Sequence, residues 1–107
     1  MNVFFGSIFI EKEKLQEAGI NHPIKLESYK IINEDQMLNN DKAKFGIEII
    51  KTEYKGENSE VENKKIEYLS NDENKINKVL NILKENEVTP VCVQEIIYDV
   101  SRSMLYI

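Results

Sequence analysis

The stretch that most limits the fold of this chain runs from Ser70 to Val100. It opens with a helix-start pattern, continues with apolar residues three and four positions apart, breaks at Glu-Val-Thr-Pro, and then resumes the same spacing. Apolar residues at this spacing form a single stripe along an α-helix. The sequence therefore predicts two amphipathic helices that are joined by a tight corner.

The first of these helices is predicted to begin at Ser70 and to end near Asn86. Ser70 and Glu73 match a capping box, in which the two side chains bind each other's open backbone N–H groups. The residues that we expect on its buried face are Ile76, Val79, Leu80 and Leu83.

The second helix is predicted to begin at Pro90, with Thr89 as its cap. Proline suits the first position of a helix because its missing N–H would have no intrahelical partner there. Its predicted buried stripe contains Val93, Ile96, Ile97, Val100 and Met104.

The sequence before the helices predicts four strands, since short runs rich in Ile, Phe and Tyr alternate with polar residues. Their predicted bounds are Val3–Ile10 with a bulge at Gly6, Ile24–Asn33, Lys44–Tyr54 and Glu60–Leu69. A hairpin turn at Lys55–Asn58 contains Gly56, and the charged start of the fourth strand indicates a solvated edge. Ile66 and Tyr68 are predicted to share one face of that strand.

Two connecting segments are less determined. Residues 11–18 fit either a short helical turn or a continuation of the first strand, and the polar residues 39–41 predict a turn. A chain of 107 residues with 41% apolar content suits one domain, residues 1–107. The expected fold is α+β, with an antiparallel β-meander of about four strands followed by two C-terminal helices packed on one of its faces.

Composition excludes several classes of protein. A net charge of −5 and a pI near 4.9 disfavour a nucleic-acid partner, because affinity for phosphates comes largely from Lys and Arg. The single cysteine leaves no internal disulfide, which favours a cytoplasmic protein. No run approaches the ~20 apolar residues of a membrane span, so we expect no membrane association.

His22 and Cys92 are the two side chains with potential reactivity that occur once each. His22 could act as a base near neutral pH, but its His-Pro context favours a surface turn. Cys92 lies in the first turn of the second helix, where its thiol pKa could fall, but we expect a small core cysteine.

Glu95 and Asp99 lie four residues apart on the second helix and so share a face. Such carboxylates could serve acid–base chemistry or a hard cation, whereas Arg102 offers an ordinary surface ion pair. We expect no catalytic site, no metal site and no cofactor, because the sequence contains no phosphate-binding glycine loop, nucleophile elbow or paired-cysteine motif.

Several of these segments together resemble a known family. They are the Phe45-Gly46-Ile47 strand, the returning strand that ends in Tyr68-Leu69-Ser70, the helix with Val79-Leu80, and Val88-Thr89-Pro90 before an acidic helix. Together they are similar to a small clostridial (Firmicutes) family of unknown function. The resemblance covers roughly residues 28–100 and implies no activity, and residues 1–23 do not match it.

The apolar tail Met104-Leu105-Tyr106-Ile107 is unusual, since chain ends are ordinarily polar. We expect it to dock on this domain, on a second copy or on a partner, together with the acidic surface at Glu95 and Asp99. The leading hypothesis is a non-catalytic protein-binding or regulatory module that binds another protein or forms a homodimer; the alternative is a DNA-binding regulator of the winged helix-turn-helix type.

Overall fold

The computed structural model describes residues 1–11, 13, 22–34 and 43–104, with side chains described as far as residue 100. Its elements, in chain order, are β1 (Asn2–Ile10), β2 (Ile24–Ile32), β3 (Phe45–Lys55), β4 (Asn58–Ser70), α1 (Glu73–Glu85) and α2 (Pro90–Met104). The four strands pair antiparallel in the order β1-β2-β3-β4. The predicted α+β meander followed by two helices is confirmed.

Both helices and one face of the sheet enclose the main core. Ile47 and Ile49 of β3 pack in one cluster with the apolar stripes of the helices. The buried helix residues are Ile76, Val79, Leu80, Leu83, Val93 and Ile97, with Ile96 and Val100 partly buried beside them. This confirms the described part of both predicted stripes; the side chain of Met104 lies outside the description.

A second buried cluster extends along the same face of the sheet. It contains Ile10, Ile24 and Leu26, with Ile8 packed against it. The register places Ile8 opposite Leu26 and Ile10 opposite Ile24, so these side chains share the face that carries the main core. Both clusters therefore lie on the helix side of the sheet.

The register of β1 shifts between Phe4 and Gly6, as the predicted bulge requires. An extra residue in one strand changes the face to which the following side chains point. Phe5 packs against the main core, whereas the ring of Phe4 is exposed. The bulge thus places two consecutive residues, Phe5 and Gly6, on the helix side of the sheet.

A second register shift lies where β3 begins, between Phe45 and Ile47. A Cβ built on Gly46 would lie 2.2 Å from the Ile66 carbonyl oxygen and 2.3 Å from that of Glu67. Only glycine allows this approach of the β4 backbone. The shift also changes the alternation of β4, so Leu69 packs against the core and Tyr68 is exposed. The prediction that Tyr68 shares a face with Ile66 was wrong for this reason.

The start of α1 also differs from the prediction. Asp72 is the N-cap, and its carboxylate accepts a hydrogen bond of 2.9 Å from the Asn74 backbone N–H. Ser70 lies two residues earlier and its hydroxyl accepts a bond from the Asp72 N–H. The Ser70–Glu73 capping box was therefore wrong, because an Asp two residues later is an equally good cap and sits at the turn itself.

The corner between the helices follows a backbone pattern that is common at helix ends. Asn86 caps α1, Glu87 has a left-handed φ of 52°, and the Val88 N–H donates to the Leu83 carbonyl. Val88 is buried in the main core, which fixes the direction of the chain into α2. The helix begins at Pro90 as predicted. The predictions for residues 12, 14–18 and 39–41 lie outside the described residues.

Candidate functional site

The face of the sheet opposite the helices is the candidate site, and we call it the open face. No helix or strand in the described ranges lies over it. The strand register assembles it from three cross-strand rows, which are Phe4–Tyr29–Glu48–Lys65, Ser7–Glu27–Ile50–Asn63 and Phe9–Lys25–Thr52–Val61.

These residues share a face because side chains alternate along a strand and directly opposed residues point the same way. Ile49 and Ile47, which alternate with Glu48 and Ile50 on β3, point into the main core. Tyr54, two residues beyond Thr52, extends the open face toward the hairpin turn. Its position follows directly from the register that buries the other face.

Large apolar side chains on the open face remain in contact with solvent. Phe4 is 56% exposed, Phe9 57%, Tyr54 39% and Val61 63%. The rings of Phe4 and Tyr29 meet edge to face at 5.6 Å, and those of Phe9 and Tyr54 lie 6.2 Å apart. Aromatic side chains held by such contacts offer contact area at a low cost in conformational entropy.

A hydrogen-bonded carboxylate lies near the centre of the open face. Asn2 Nδ2 donates to Glu48 Oε1 at 2.8 Å, and Asn63 Nδ2 donates to Glu48 Oε2 at 3.0 Å. The two amides belong to the two outer strands, so the network spans the sheet. Because each oxygen has its own donor, Glu48 is held in one orientation.

Tyr29 and Glu27 form a second polar pair on the same face. The Tyr29 hydroxyl donates to Glu27 Oε2 at 2.8 Å. This hydrogen bond to an anionic acceptor, together with desolvation and the charges of Glu27 and Glu48, raises the pKa of Tyr29 above its usual 10.0. The hydroxyl is therefore a firmly protonated donor near neutral pH.

The open face is close to electrical neutrality, unlike the chain as a whole. Its rows contain two lysines, Lys25 and Lys65, and two glutamates, Glu27 and Glu48, whereas the chain carries a net charge of −5. Exposed aromatic rings with balanced charges and oriented hydrogen-bonding groups are typical of surfaces that contact another protein.

The reactive side chains that the sequence singled out lie elsewhere. His22 is partly buried just before β2, and Cys92 lies in the first turn of α2. Cys92 is exposed. The expectation of a core cysteine was wrong because the buried stripe of α2 passes through the next residue, Val93, and leaves position 92 on the solvent side.

Glu95 and Asp99 are exposed on α2, as their spacing predicted for one helix face. Cys92, Glu95 and Asp99 lie three and four residues apart and so occupy neighbouring positions along this helix. Met104 is the last residue of α2, and its side chain and residues 105–107 lie outside the description. The predicted tail surface therefore stays a prediction.

An open groove of about 410 Å3 lies between β4 and the start of α2. Its lining residues are Glu62, Asn63, Lys64, Pro90, Val91 and Gln94. His22, Cys92, Glu95 and Asp99 are not among them, so this groove does not join the side chains for which the sequence suggested chemical roles.

Metal-binding clusters and membrane-spanning helices are both absent from the described residues. Within residues 1–11, 13, 22–34 and 43–104, no group of three or more His, Cys, Asp and Glu side chains is placed to hold a metal ion. None of the helices in those ranges has the length and apolar character needed to cross a membrane.

Sequence reasoning missed the open face as a site. The signal for it was present in β1, where apolar residues occur on both sides of the strand, and in Ile50 and Tyr54 of β3. When helices cover only one face of a sheet, apolar residues on the other face do not pack in the core between the sheet and the helices.

Comparison with known proteins places the chain in a family. No curated protein and no solved structure matched it. A family model did match over residues 7–103, a wider range than the resemblance at 28–100, and it includes residues 7–10 at the end of β1. The chain belongs to DUF6514, a family of unknown function.

Proposed function

We propose that this chain is a non-catalytic protein-binding module of regulatory type, and that its open face contacts the partner. The observation that carries the proposal is the set of exposed apolar side chains on the open face: Phe4, Phe9, Tyr54 and Val61. Each would lose contact with water on binding, at a gain of roughly 25 cal/mol per Å2 of apolar area. Because these rings are still partly exposed in the folded chain, their remaining apolar area can be buried when a partner binds.

The polar groups among these side chains favour a specific partner. Glu48 is oriented by Asn2 and Asn63, and the Tyr29 hydroxyl is oriented by Glu27. Oriented groups lose little freedom when a partner binds, and they reject partners that leave them unpaired. The balance of two lysines and two glutamates adds no net repulsion toward a protein surface.

The proposal is tested by affinity capture from native lysate with two matched variants. The test variant is Tyr54→Ser with Val61→Ser on the open face; the control is Tyr98→Ser with Val91→Ser on α2. Tyr98 is 64% exposed and Val91 is 81% exposed, so both variants remove one exposed Tyr and one exposed Val. Each protein is first checked for an unchanged thermal transition.

We expect a partner that the wild-type chain and the α2 control capture and that the open-face variant loses. A captured set that is identical for all three proteins would contradict the assignment of the open face. Loss with the α2 control alone would move the binding surface to the helices.

The tail Met104–Ile107 and the carboxylates Glu95 and Asp99 remain a second proposed contact surface. The features that favour it are the apolar sequence of Met104–Ile107 and the exposure of Glu95 and Asp99 on α2. Deleting Met104–Ile107 and measuring mass by light scattering checks its role in self-association. The same mass before and after the deletion would remove the tail from any dimer interface.

The source and setting of the chain are part of the same proposal. The resemblance supports a clostridial (Firmicutes) origin, and the single exposed cysteine supports a reducing, cytoplasmic setting. The acidic outer side of α2, with Glu95 and Asp99, disfavours the winged helix-turn-helix alternative because carboxylates repel phosphates. A gel shift at low salt that retards genomic DNA would reinstate that alternative.

A further inference from the structure

The two outer strands of the sheet, β1 and β4, each have one side that no other described strand pairs with. Such an edge presents backbone N–H and C=O groups that can pair with another chain. The two edges differ sharply in the side chains that accompany those groups.

Charged side chains protect the β4 edge. Its thirteen residues include Glu60, Glu62, Lys64, Lys65 and Glu67. Lys51 and Lys55 of β3 form ion pairs with Glu62 and Glu60, at 3.6 Å and 2.9 Å. Another strand that paired here would have to accommodate these charges, which is how natural sheets prevent pairing between edges.

The β1 edge has no such protection, because none of the nine residues from Asn2 to Ile10 carries a charge. The bulge at Phe5 interrupts its first half. After the bulge, Gly6–Ile10 pairs with β2 in unbroken register, and Ser7 and Phe9 of this segment are exposed. Gly6–Ile10 is therefore a regular pairing edge with no charged side chain of its own; the Lys84 side chain lies against Gly6 on the helix side.

We propose that β1 pairs antiparallel with β1 of a second copy of this chain, through the segment Gly6–Ile10. Symmetry and charge select this occupant. Pairing of β1 with β4 of another copy would leave free edges at both ends and grow into open filaments, and the β4 charges oppose it. Pairing of β1 with β1 about a two-fold axis uses both uncharged edges and leaves only the charged β4 edges outside.

Neutrality also favours a second copy in spite of the net charge of the chain. Each copy carries −5, so most of its surface repels its counterpart. The β1 segment places no charged side chain opposite its symmetry mate. In the resulting sheet of eight strands, twice the four of one chain, the two open faces lie side by side on the same surface.

The proposal concerns the strand edge, and so it stands or falls independently of partner binding at the open face. Sedimentation equilibrium of the full chain tests it, with an expected mass of twice the 12.5 kDa of one copy. The test variant is Ser7→Lys with Phe9→Lys, because lysine on an edge strand blocks pairing. We expect this variant to sediment as a monomer.

The matched control is Asn63→Lys with Val61→Lys on β4. Asn63 shares a cross-strand row with Ser7, and Val61 shares one with Phe9, so the charge change, the face and the rows are the same. The edge differs, and the contacts removed also differ, because Asn63 donates to Glu48 whereas the ring of Phe9 lies beside that of Tyr54. We expect the control to stay dimeric. A monomeric wild-type chain, a dimeric test variant, or a control that dissociates equally would each overturn the proposal.

A second measurement decides the question if the test variant does not fold. Amide hydrogen exchange of the wild-type chain is compared at low and high protein concentration. Slower exchange at high concentration in residues 7–10, with no change in the outer amides of β4, supports the pairing. Exchange in residues 7–10 that is independent of concentration overturns it.

Discussion

The two faces of the sheet are made from the same strands and yet differ in what they contribute. On the helix side, Ile47 and Ile49 are fully buried in the main core. On the open face, Phe4 and Phe9 are exposed over more than half of their surface. Stability comes from apolar area that has left the water, so the helix side holds the fold together and the open face keeps its apolar area for binding.

The comparison also separates two kinds of polar group. Ser28 is the buried polar residue among the described side chains, and on the helix side it lies between Gly6 of β1 and Ile49 of β3. The open face instead carries Glu48 with two amide donors and the Tyr29–Glu27 pair. Oriented polar groups that face solvent are available to a partner, whereas the helix side is an apolar interior.

The largest expected effect is on the helix side. Leu80→Ala removes a fully buried side chain from the centre of the main core and leaves a cavity. We expect it to lower the free energy of unfolding by about 2–5 kcal/mol. Urea denaturation followed by circular dichroism measures this, and a loss under about 1 kcal/mol would show that the helices do not pack on the sheet as described.

The next prediction concerns Gly46, where the β4 backbone approaches β3 closely. Gly46→Ala places a methyl group within 2.2–2.3 Å of two backbone carbonyl oxygens, so the strands must separate there. We expect a loss of about 3 kcal/mol. Gly56→Asn is the control, because asparagine tolerates the positive φ of 63° in the hairpin turn. Equal effects of the two changes would contradict the close approach at Gly46.

A small effect on stability is expected on the open face itself. Val61→Ser removes a side chain that is already mostly in water, so the free energy of unfolding should change by about 1 kcal/mol or less. The same urea titration measures it beside Leu80→Ala. A loss as large as that of Leu80→Ala would mean that the open face is part of the core.

The smallest prediction concerns the titration of Tyr29. Glu27→Gln removes the anionic acceptor and should lower the pKa of Tyr29 toward 10.0. Phenolate absorbance during alkaline titration reports it, with Tyr29→Phe as the subtraction control for the other tyrosines. An unchanged titration curve would show that the hydroxyl does not bind Glu27.

The same pair makes stability depend on pH in the alkaline range. The folded pKa of Tyr29 is raised, so the folded chain holds this proton more tightly than the unfolded chain does. Its contribution is fully present below pH 10.0 and is lost as the pH rises through the folded value. In Glu27→Gln this alkaline loss should shrink.

Much of the fold followed from spacing alone. The stripe from Ile76 to Leu83 and the start of α2 at Pro90 are local patterns in the sequence. The apolar face of an amphipathic helix packs against the core, so these patterns also predict which side chains are buried. The caps were harder, since Ser70 and Asp72 are both good N-caps and only the turn of the backbone chooses between them.

The candidate site was much less predictable. β1 carries apolar residues on both sides, and the sequence does not say which side the helices cover. The shift at Gly46, which exchanges the roles of Tyr68 and Leu69, depends on a contact between strands that no local pattern encodes. Cys92 was predicted to be buried because cysteine usually is. It is exposed, because its position on α2 lies on the solvent side of the helix.

The central claim is that the open face is covered by a partner in the cell. Hydroxyl-radical labelling of the chain in native lysate and as dilute purified protein tests this most directly. We predict that labelling of Tyr54 falls in the lysate, while labelling of Tyr98 on α2 does not change. Tyr54 lies on β3, whose two sides are both paired with strands of the same chain, so its backbone takes no part in self-pairing at the β1 edge. Equal labelling of Tyr54 in both samples would contradict the account.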